Sequence, residues 1–408
     1  MDTNPLFTLA LGLESPWMVS ETQFEPAAGT LRLRLDFPRG STFICPECGA
    51  GDCPVHDTVE RTWRHLDFFQ HQAFLTARVP RVDCLKCGVK QVAVSWARPG
   101  SGFTLLFEAY ALVLARHMPV RPAAALLRIT DNRLWRILKH HVSQALEKIS
   151  LEDLRQLGID ETSARKRHDY ISLFFDMVQR RLMFATRGKD AATVSRFRAF
   201  LEQHGGKAES LQEASMDMSP AFQKGVRENF PNAGVTFDRF HVVKLLNDAL
   251  DKVRRNEWRD GQPVKGARFL LLRNVENLTA AQAALLEELR TRNATLARAW
   301  QLKENFRDFY RQTSLEDAHG FLKGWIADAI ISDIDAIKET AWTFFDHFSG
   351  IMRWHISRID NAVMEALAGL VQAAKAKARG YRNHDNLITV AYLVAGKLQL
   401  PSYPLKTA

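Results

Sequence analysis

The amino-acid sequence predicts a multi-domain α+β protein with a β-rich region, a short helical region, a mixed α/β region and a long helical region, in that order. Residues 31–37 alternate apolar and polar side chains, which is typical of a half-buried strand. Residues 170–178 are almost continuously apolar, as in a strand buried on both faces. From residue 241 to about residue 350, apolar side chains instead recur at helical spacing.

The charge of the chain is concentrated in two segments. The 408 residues include 55 Lys and Arg against 46 Asp and Glu, a net charge of +9. Residues 116–141 contain six Lys or Arg against one Asp, and residues 370–408 repeat that ratio. The rest of the chain is therefore close to neutral. An excess of positive charge that is concentrated in this way indicates a polyanionic partner.

Composition and the chain ends exclude several classes of protein. With 46% hydrophobic and 25% charged residues, the chain is neither disordered nor collagen-like. The first residues lack the basic stretch of a secretory signal, and no apolar run approaches the roughly 18 residues of a membrane span. We therefore expect a cytoplasmic protein with no membrane partner.

Residues 1–97 contain all five cysteines, and four of them form two matched pairs. Cys45 and Cys48 are followed by a glycine, as are Cys84 and Cys87. Each C-x-x-C-G sequence forms a turn that points two thiolates at one ion, so the pairs predict a structural, tetrahedral Zn²⁺ site in a zinc-ribbon domain. Two alternatives remain: Cys53 and His56 complete a local site with the first pair, or the cysteines are buried free thiols.

Residues 103–150 are predicted to form three short helices of a helix-turn-helix domain. Asp131 is predicted to cap the third helix, which carries most of the basic side chains of its segment. A basic helix after a short turn is the arrangement that enters a major groove. The side chains expected to face DNA are Asn132, Arg133, Arg136 and Lys139. The alternative is a solvated amphipathic helix without a ligand.

Residues 155–240 are predicted to form a ribonuclease-H-like core, because three strands precede an alternation of helix, strand, helix and strand. Asp160 is predicted to close the first strand, and Asp217 follows the fourth. Two carboxylates at strand ends suit Mg²⁺, although singly each is more often a cap or turn residue. Spacing does not select a third carboxylate among four candidates. These are Glu161, Glu228, Glu339 and Glu365.

A last helix is predicted from about residue 361 to residue 378, and it carries Glu365. Four cationic side chains follow and could hold phosphates beside a cleavage point. These are Lys375, Lys377, Arg379 and Arg382. On spacing alone, Glu365 is an ordinary exposed helical glutamate.

Together these segments resemble the ISL3 family of bacterial insertion-sequence transposases, from about residue 40 to about residue 390. The similarity combines the cysteine pairs with short motifs spread along the chain. These are Thr62-Trp63-Arg64-His65-Leu66, Val79-Pro80-Arg81-Val82-Asp83-Cys84, Gly158-Ile159-Asp160-Glu161, Met216-Asp217-Met218-Ser219-Pro220, Asp238-Arg239-Phe240-His241-Val242, Leu271-Leu272-Arg273-Asn274, Glu276-Asn277-Leu278-Thr279 and Arg379-Gly380-Tyr381-Arg382-Asn383. Their combination carries the resemblance.

The resemblance implies an Asp-Asp-Glu triad of Asp160, Asp217 and Glu365 that binds Mg²⁺ or Mn²⁺. It also implies that residues 241–350 are an all-helical insertion into the ribonuclease-H-like core, which resumes at residues 351–408. Asp238 and His241 match a motif with a supporting role, although Asp238 is equally suited to cap a helix. Family members often carry Gly and Asn shortly after the glutamate, where this chain has Ala366 and Ala368.

The implied function is DNA transposition. The protein would bind the terminal inverted repeats of an insertion sequence, cleave a phosphodiester bond and transfer the strand to target DNA. It would act as a homo-oligomer on double-stranded DNA, in the bacterial cytoplasm and at the nucleoid when bound. The alternatives are an inactive transposase-derived regulator, a ribonuclease-H-like nuclease for branched or hybrid nucleic acid, and a zinc-stabilised helical interaction protein.

Overall fold

The computed structural model describes residues 3–165, 169–258, 267–359 and 361–403, with the backbone alone at position 165. The chain divides into two compact units, one formed by Met1–Ala145 with Gln399–Ala408 and the other by Leu146–Leu398. Each unit contains its own β-sheet and its own hydrophobic core. Within the described ranges, every helix is too short or too polar to cross a bilayer.

The first unit begins with helix α1 (Asn4–Ala10) and a six-stranded sheet. The strands are β1 (Met18–Glu25), β2 (Thr30–Asp36), β3 (Thr42–Phe43), β4 (Cys53–Arg64), β5 (Gln72–Cys84) and β6 (Gly88–Gln91). Their order is β1-β2-β5-β4-β3, with β6 also paired to β5. The β2–β5 pair is parallel and the other pairs are antiparallel. The alternation predicted for residues 31–37 is confirmed, since Leu31, Leu33 and Leu35 are buried. The sequence did not predict α1, which buries no side chain.

Three helices follow this sheet. They are α2 (Leu105–His117), α3 (Val120–Leu126) and α4 (Asp131–Leu146). Thr104 caps α2 by accepting a hydrogen bond from the backbone amide of Phe107. Asp131 is the first residue of α4, so the prediction that it is the N-cap is wrong by one position. The Thr130 hydroxyl accepts from the Arg133 amide at 3.4 Å in that role.

The second unit contains a five-stranded sheet with the order β11-β10-β7-β8-β9. Its elements are β7 (Gln156–Arg165), β8 (Asp169–Asp176), β9 (Arg181–Arg187), α5 (Ala191–Gln203), a 3-10 turn (Ala208–Ser210), β10 (Glu213–Met216), α6 (Pro220–Asn229) and β11 (Gly234–Phe237). The first three strands are antiparallel neighbours, whereas β10 is parallel to both β7 and β11. The predicted succession of strands and helices is therefore present.

Strand β7 continues to Arg165, so the prediction that Asp160 closes this strand is wrong. The continuation comes from an antiparallel ladder with β8, in which Asp160 lies opposite Leu173 and Thr162 lies opposite Ile171. The parallel pairing of β7 with β10, however, ends earlier, at Gly158. Asp160 thus lies within the β7–β8 ladder and just beyond the end of the β7–β10 ladder.

Helices account for the regular structure in the described residues after β11. They are α7 (Arg239–Glu257), α8 (Ala267–Leu272), a 3-10 turn (Val275–Asn277), α9 (Ala280–Arg292), α10 (Ala294–Phe306), a 3-10 turn (Arg307–Arg311), α11 (Leu315–Ile331), α12 (Asp335–Asp346), α13 (Phe348–Met352), α14 (Trp354–Ser357), α15 (Ala362–Lys377) and α16 (His384–Ala395). The sequence did not predict α16. This helix packs on β9, where the Tyr392 hydroxyl accepts a hydrogen bond from the Ala185 amide at 2.9 Å.

Aromatic side chains join the sheet of the second unit to its helices. Phe174 on β8 stacks on Phe197 of α5, with ring centroids 4.7 Å apart. Among the later helices, Phe306, Trp325 and Phe344 pack with ring centroids 4.9 to 5.4 Å apart. One continuous core therefore supports the sheet edge where the parallel pairing of β7, β10 and β11 ends.

Candidate functional site

Three aspartates lie in the second unit where the parallel pairing of β7, β10 and β11 ends. Asp217 is the first residue after β10 and Asp238 the first after β11, while Asp160 lies two residues beyond the last β7–β10 pair. The Asp238 amide donates a hydrogen bond to the Met216 carbonyl at 2.8 Å, which ties the ends of β10 and β11 together. The carboxyl ends of parallel strands are where side chains converge on a ligand.

The electrostatics show that these carboxylates influence one another. Burial raises the pKa of Asp160, and the charges of Asp238 and Asp217 raise it further, whereas His241 lowers it. Burial also raises the pKa of the neighbouring Glu161, followed by the charge of Asp217. The Glu161 amide donates a hydrogen bond to Asp160 at 2.7 Å and offsets only part of the rise in the Asp160 pKa, so the repulsion between these carboxylates leaves a favourable environment for a cation.

Asp238 is almost fully buried, and three donors surround its carboxylate. It accepts from the Phe240 amide at 2.8 Å, from His241 Nδ1 at 2.9 Å and from the side-chain amide of Asn361. Burial would raise the pKa of Asp238, but the hydrogen bonds from His241 and Asn361 hold it below its usual value. The hydrogen bond to Asp238 raises the pKa of His241 in return. Asp238 also caps α7, so the capping interpretation is confirmed.

Glu365 is exposed near the start of α15. It lines a 520 Å³ cavity together with Asp238 and Asn361, but Asp160 and Asp217 do not line this cavity. Within the described ranges, no three carboxylate or histidine ligand atoms lie within 4.8 Å of one another. The structure thus brings Asp160, Asp217, Asp238 and His241 together and leaves Glu365 at the neighbouring cavity.

The other three candidates for the third carboxylate of the triad lie in different surroundings. Glu228 and Glu339 are exposed and form ion pairs with Lys224 and Lys252, at 3.8 and 2.7 Å, away from the strand ends. Glu161 is partly buried, and its carboxylate lies 3.8 Å from the Lys189 ammonium group. Of these three, only Glu161 is electrostatically linked to Asp160 and Asp217.

The two cysteine pairs of the first unit meet at one point. The thiol groups of Cys45, Cys48, Cys84 and Cys87 all lie within 4.8 Å of one another. Gly49 and Gly88 have φ angles of 72° and 69°, which explains why each pair is followed by glycine. Backbone amides of residues 86 and 87 donate to the Cys84 thiol group and lower its pKa to about 6, which favours the thiolate that binds zinc.

The remaining candidate ligands lie outside this cluster. Cys53 is buried, and its thiol is directed at the carbonyl oxygens of Ala50 and Gly51 at 3.5 and 3.7 Å. His56 Nδ1 lies 3.4 Å from the Asp57 carboxylate. The geometry therefore favours four cysteines as the zinc ligands over a local site with Cys53 or His56.

Helix α4 has one apolar and one polar face. Leu134, Ile137, Leu138 and Val142 are buried on the inner face. The four side chains predicted to face DNA are all exposed. These are Asn132, Arg133, Arg136 and Lys139. Arg133 also lies over the Phe103 ring, 4.8 Å from its centroid, so its guanidinium group is held near the start of the helix.

The second basic segment lies at the end of α15. A 700 Å³ cavity is lined by Lys375, Arg379, Tyr381 and Arg382, beside the end of β7. Lys375 Nζ donates a hydrogen bond to the Ser163 carbonyl at 2.7 Å. Lys377 is exposed on the last turn of α15. Residues 404–408 of this segment lie outside the described part of the chain.

Comparison with known protein families matches the carboxylate-bearing core, the three-helix region and the cysteine cluster to models of transposase domains. The DDE transposase model of the ISL3 family matches residues 157–391, more than half of the chain. The chain belongs to the ISL3 transposase family. The helix-turn-helix domain of this family matches residues 92–142, which include α2 and α3 and most of α4. The zinc-finger model of transposases IS204, IS1001, IS1096 and IS1165 matches residues 41–87 and includes all four clustered cysteines, which supports structural zinc.

Curated relatives of this ISL3 protein are also transposases. The transposase for insertion sequence element IS1557 of Mycobacterium tuberculosis is 29% identical over 95% of this chain and 94% of its own. The transposase for element IS1001 of Bordetella parapertussis is 25% identical over 88% of this chain and 90% of its own. Among solved structures, a chain of the simian T-cell lymphotropic virus intasome in complex with PP2A regulatory subunit B56 gamma covers 39% of this chain and 65% of that chain at 16% identity. The TM-score of this match is 0.17.

Sequence reasoning missed Asn361 in this ISL3 transposase. Its side chain is buried, accepts a hydrogen bond from the Ser215 hydroxyl at 2.9 Å and donates to Asp238. It thereby links β10, β11 and the start of α15. The one available signal is its position four residues, or about one helical turn, before Glu365.

Proposed function

We propose that this protein is a DNA transposase that binds the terminal inverted repeats of an insertion sequence, cleaves a phosphodiester bond and transfers the strand to target DNA. The single observation that carries this proposal is the placement of Asp160, Asp217 and Asp238 where the parallel pairing of β7, β10 and β11 ends, in a chain of the ISL3 family. The strand order with β7 at the centre supports a ribonuclease-H-like core, and the helices between α7 and α14 support an all-helical insertion.

The residues at this edge fit a hard divalent cation. Carboxylate oxygens are the ligands that Mg²⁺ and Mn²⁺ prefer. Burial and mutual repulsion raise the pKa of Asp160, so a cation would remove an existing penalty. In this proposal Asp160 and Asp217 hold the metal, and Glu365 would complete the set by approaching them from the neighbouring cavity. When bound, such ions act as Lewis acids that favour attack by water and departure of the 3′ oxygen.

Other residues of the chain would orient the side chains of the site and bind DNA. Asp238 fixes the orientation of His241, whose raised pKa favours the cationic form beside Asp160 and Asp217. Asn361 in turn orients Asp238. Lys375, Lys377, Arg379 and Arg382 would hold phosphates flanking the scissile bond. The exposed face of α4, with Asn132, Arg133, Arg136 and Lys139, would read base edges in the major groove.

Transposition brings two element ends together, so we propose a homo-oligomer assembled on DNA. The protein would act in the bacterial cytoplasm, at the nucleoid when bound. The proposed domains are the zinc ribbon at 1–97, the helix-turn-helix at 103–150, the core at 155–240, the insertion at 241–350 and the end of the core at 351–408.

The test compares cleavage with binding. We expect Asp160→Asn, Asp217→Asn and Glu365→Gln to abolish Mg²⁺-dependent cleavage of a duplex that carries an element end, while affinity for that duplex is retained. Asp248→Asn is the matched control, since this aspartate is exposed on α7. Undiminished cleavage by the Asp160 or Asp217 variant would refute the assignment.

The same assay separates the alternatives. A wild-type protein that binds the element end but cleaves nothing with Mg²⁺ or Mn²⁺ would be the inactive regulator. Faster cleavage of a branched junction or of an RNA–DNA hybrid than of the terminal duplex would identify the nuclease. If the protein has no salt-dependent affinity for DNA, the remaining alternative is a zinc-stabilised helical interaction protein.

A further inference from the structure

The first unit contains a second cationic surface, between strands β4 and β5 and the start of α4. A 370 Å³ cavity there is lined by Arg64, Gln72, Phe74, Arg128 and Arg133, among others. We define the β5–α4 cleft as this cavity together with Arg32, which borders it from β2. Arg133 also belongs to the exposed face of α4, so the cleft and that face are continuous.

Guanidinium groups in the cleft are stacked on aromatic rings. Arg32 lies opposite Phe74 in the β2–β5 ladder, and its guanidinium carbon is 5.2 Å from the centroid of the Phe74 ring. Arg64 lies 5.4 Å from the same centroid. Such cation–π contacts hold an arginine in place without neutralising it. The Phe74 ring is thereby occupied and is not a free platform for stacking a nucleic-acid base.

The local charge remains positive after all described ion pairs are taken into account. Asp67 accepts from Arg64 and pairs with Arg128 at 2.7 Å, so one carboxylate faces the four arginines of the cleft. Arg128 also donates to the Gln70 carbonyl at 2.7 Å, which fixes its position. Arg64 is nine-tenths buried, yet its Nε has no hydrogen-bond partner among the described residues. The terminal nitrogens of Arg64 donate to the His65 and Ala73 carbonyls and to Asp67, so Arg64 contributes positive charge beneath the cleft. The exposed arginines, Arg32, Arg128 and Arg133, can contact an anion with several acceptor oxygens.

We propose that the β5–α4 cleft binds the phosphodiester backbone of double-stranded DNA next to the segment that α4 reads. This inference rests on the proposed function and adds the β-sheet of the first unit to the DNA-binding surface. Phosphate contacts fix the register of a protein on the duplex without reading sequence. The rings beneath the guanidinium groups favour contact with phosphates over contact with bases. The cleft would therefore orient α4 in the groove, whereas α4 itself supplies the discrimination.

The experiment measures the affinity of the full-length protein for two duplexes, an element end and a scrambled duplex of equal length, over a series of salt concentrations. We expect Arg32→Gln and Arg128→Gln each to weaken binding to both duplexes by the same factor. Each lost phosphate contact should reduce the slope of log affinity against log salt by about 0.9. Arg136→Ala should instead weaken binding to the element end selectively. Arg198→Gln is the control, because this exposed arginine pairs with Glu202 at 2.9 Å in the second unit.

Several outcomes would overturn the inference. If the Arg32 and Arg128 variants match wild type in affinity and salt slope while wild type binds DNA, the cleft is not a DNA site although the proposed function stands. If wild type binds neither duplex, both proposals fail. If the variants lose affinity for the element end alone, the cleft contacts bases and not phosphates. If the protein binds single-stranded DNA or RNA more tightly than the duplex, that nucleic acid is the ligand of the cleft. Arg32→Gln keeps the test independent of folding, because Arg32 is exposed on the sheet surface.

Discussion

The Nε2 atom of His141 lies 2.6 Å from the Oε2 atom of Glu108 in the interior of the first unit. The Glu108 side chain is fully buried, and it also accepts hydrogen bonds from Arg98 Nε at 2.9 Å and from the Ser101 hydroxyl at 2.7 Å. This one carboxylate therefore connects the segment before α2 to the middle of α4. It fixes the helix whose outer face we propose to read DNA.

Glu108→Gln should destabilise the first unit by about 3 kcal/mol, since it leaves His141 and Arg98 without their anionic partner. Burial alone would raise the pKa of Glu108, but the hydrogen bonds from His141, Arg98 and Ser101 lower it below its usual 4.5. The contribution of Glu108 is therefore present above the unfolded-state value and is lost as the pH falls through the folded-state value. Urea unfolding of wild type and variant should show a constant difference above about pH 5.5 that shrinks in more acidic solution.

Glu60→Gln provides the comparison for Glu108. Glu60 pairs with Arg34 at 3.2 Å on the exposed surface of the same unit, where an ion pair contributes at most about 1 kcal/mol. Equal losses in the two variants would contradict the importance assigned to the buried carboxylate.

Removal of zinc should loosen the turns that carry the cysteine pairs. We expect Cys84→Ser, or a strong chelator, to release about one zinc per chain and lower the melting temperature, because four thiolates hold the segment between β3 and β4 against the turn that joins β5 to β6. The measurement is metal content by a colorimetric zinc assay alongside thermal unfolding. Cys53→Ser should keep its zinc, since Cys53 lies outside the cluster. Loss of zinc in the Cys53 variant would restore the local-site alternative.

The zinc site was predictable because its signal is local. Two cysteines and a glycine within five positions define each turn, and positive φ at Gly49 and Gly88 requires that glycine. Strand β2 was predictable for a similar reason, since its apolar and polar side chains alternate along the sequence and the apolar ones are buried. The carboxylates Asp160 and Asp217 were found because they adjoin recognisable apolar strands. Short-range patterns thus predicted most elements and the first two members of the proposed triad.

Long-range contacts explain what the sequence did not predict. The polar residues after Asp160 gave no strand signal, and β7 extends only because β8 pairs with it. Asn361 carries no recognisable motif, and its importance arises from contacts with Ser215 and Asp238, more than a hundred residues away. Glu365 came from the family resemblance alone. On spacing, an exposed glutamate of α15 is indistinguishable from any other.

Gly350 is required by its close approach to β11. A Cβ atom at this position would lie 2.3 Å from the Phe237 ring, and Phe237 directly precedes Asp238. We therefore expect Gly350→Ala to cost about 1–3 kcal/mol of stability and to reduce cleavage by shifting the end of β11. Thermal unfolding and the cleavage assay check both effects.

Gly320→Ala is the control for this substitution. Gly320 is an exposed residue of α11, and a Cβ atom at this position would have no neighbouring atom within 4 Å among the described residues. Alanine there should leave stability unchanged or raise it by up to about 1 kcal/mol. If both variants behave alike, the contact between Gly350 and Phe237 does not constrain the sheet edge.

Asn361 tests whether orientation of Asp238 matters for the reaction. Asn361→Ala removes the donor to Asp238 and leaves the buried Ser215 hydroxyl without its acceptor, so cleavage should fall by about 10–100-fold while DNA affinity is unchanged. Asn361→Asp replaces that donor with a second carboxylate, which would raise the pKa of Asp238 and move the onset of cleavage to higher pH. Asn232→Ala is the control, because the side-chain amide of this exposed residue donates to the Glu209 carbonyl at 3.1 Å. A normal rate and an unshifted pH profile in both Asn361 variants would mean that Asp238 serves only as the cap of α7.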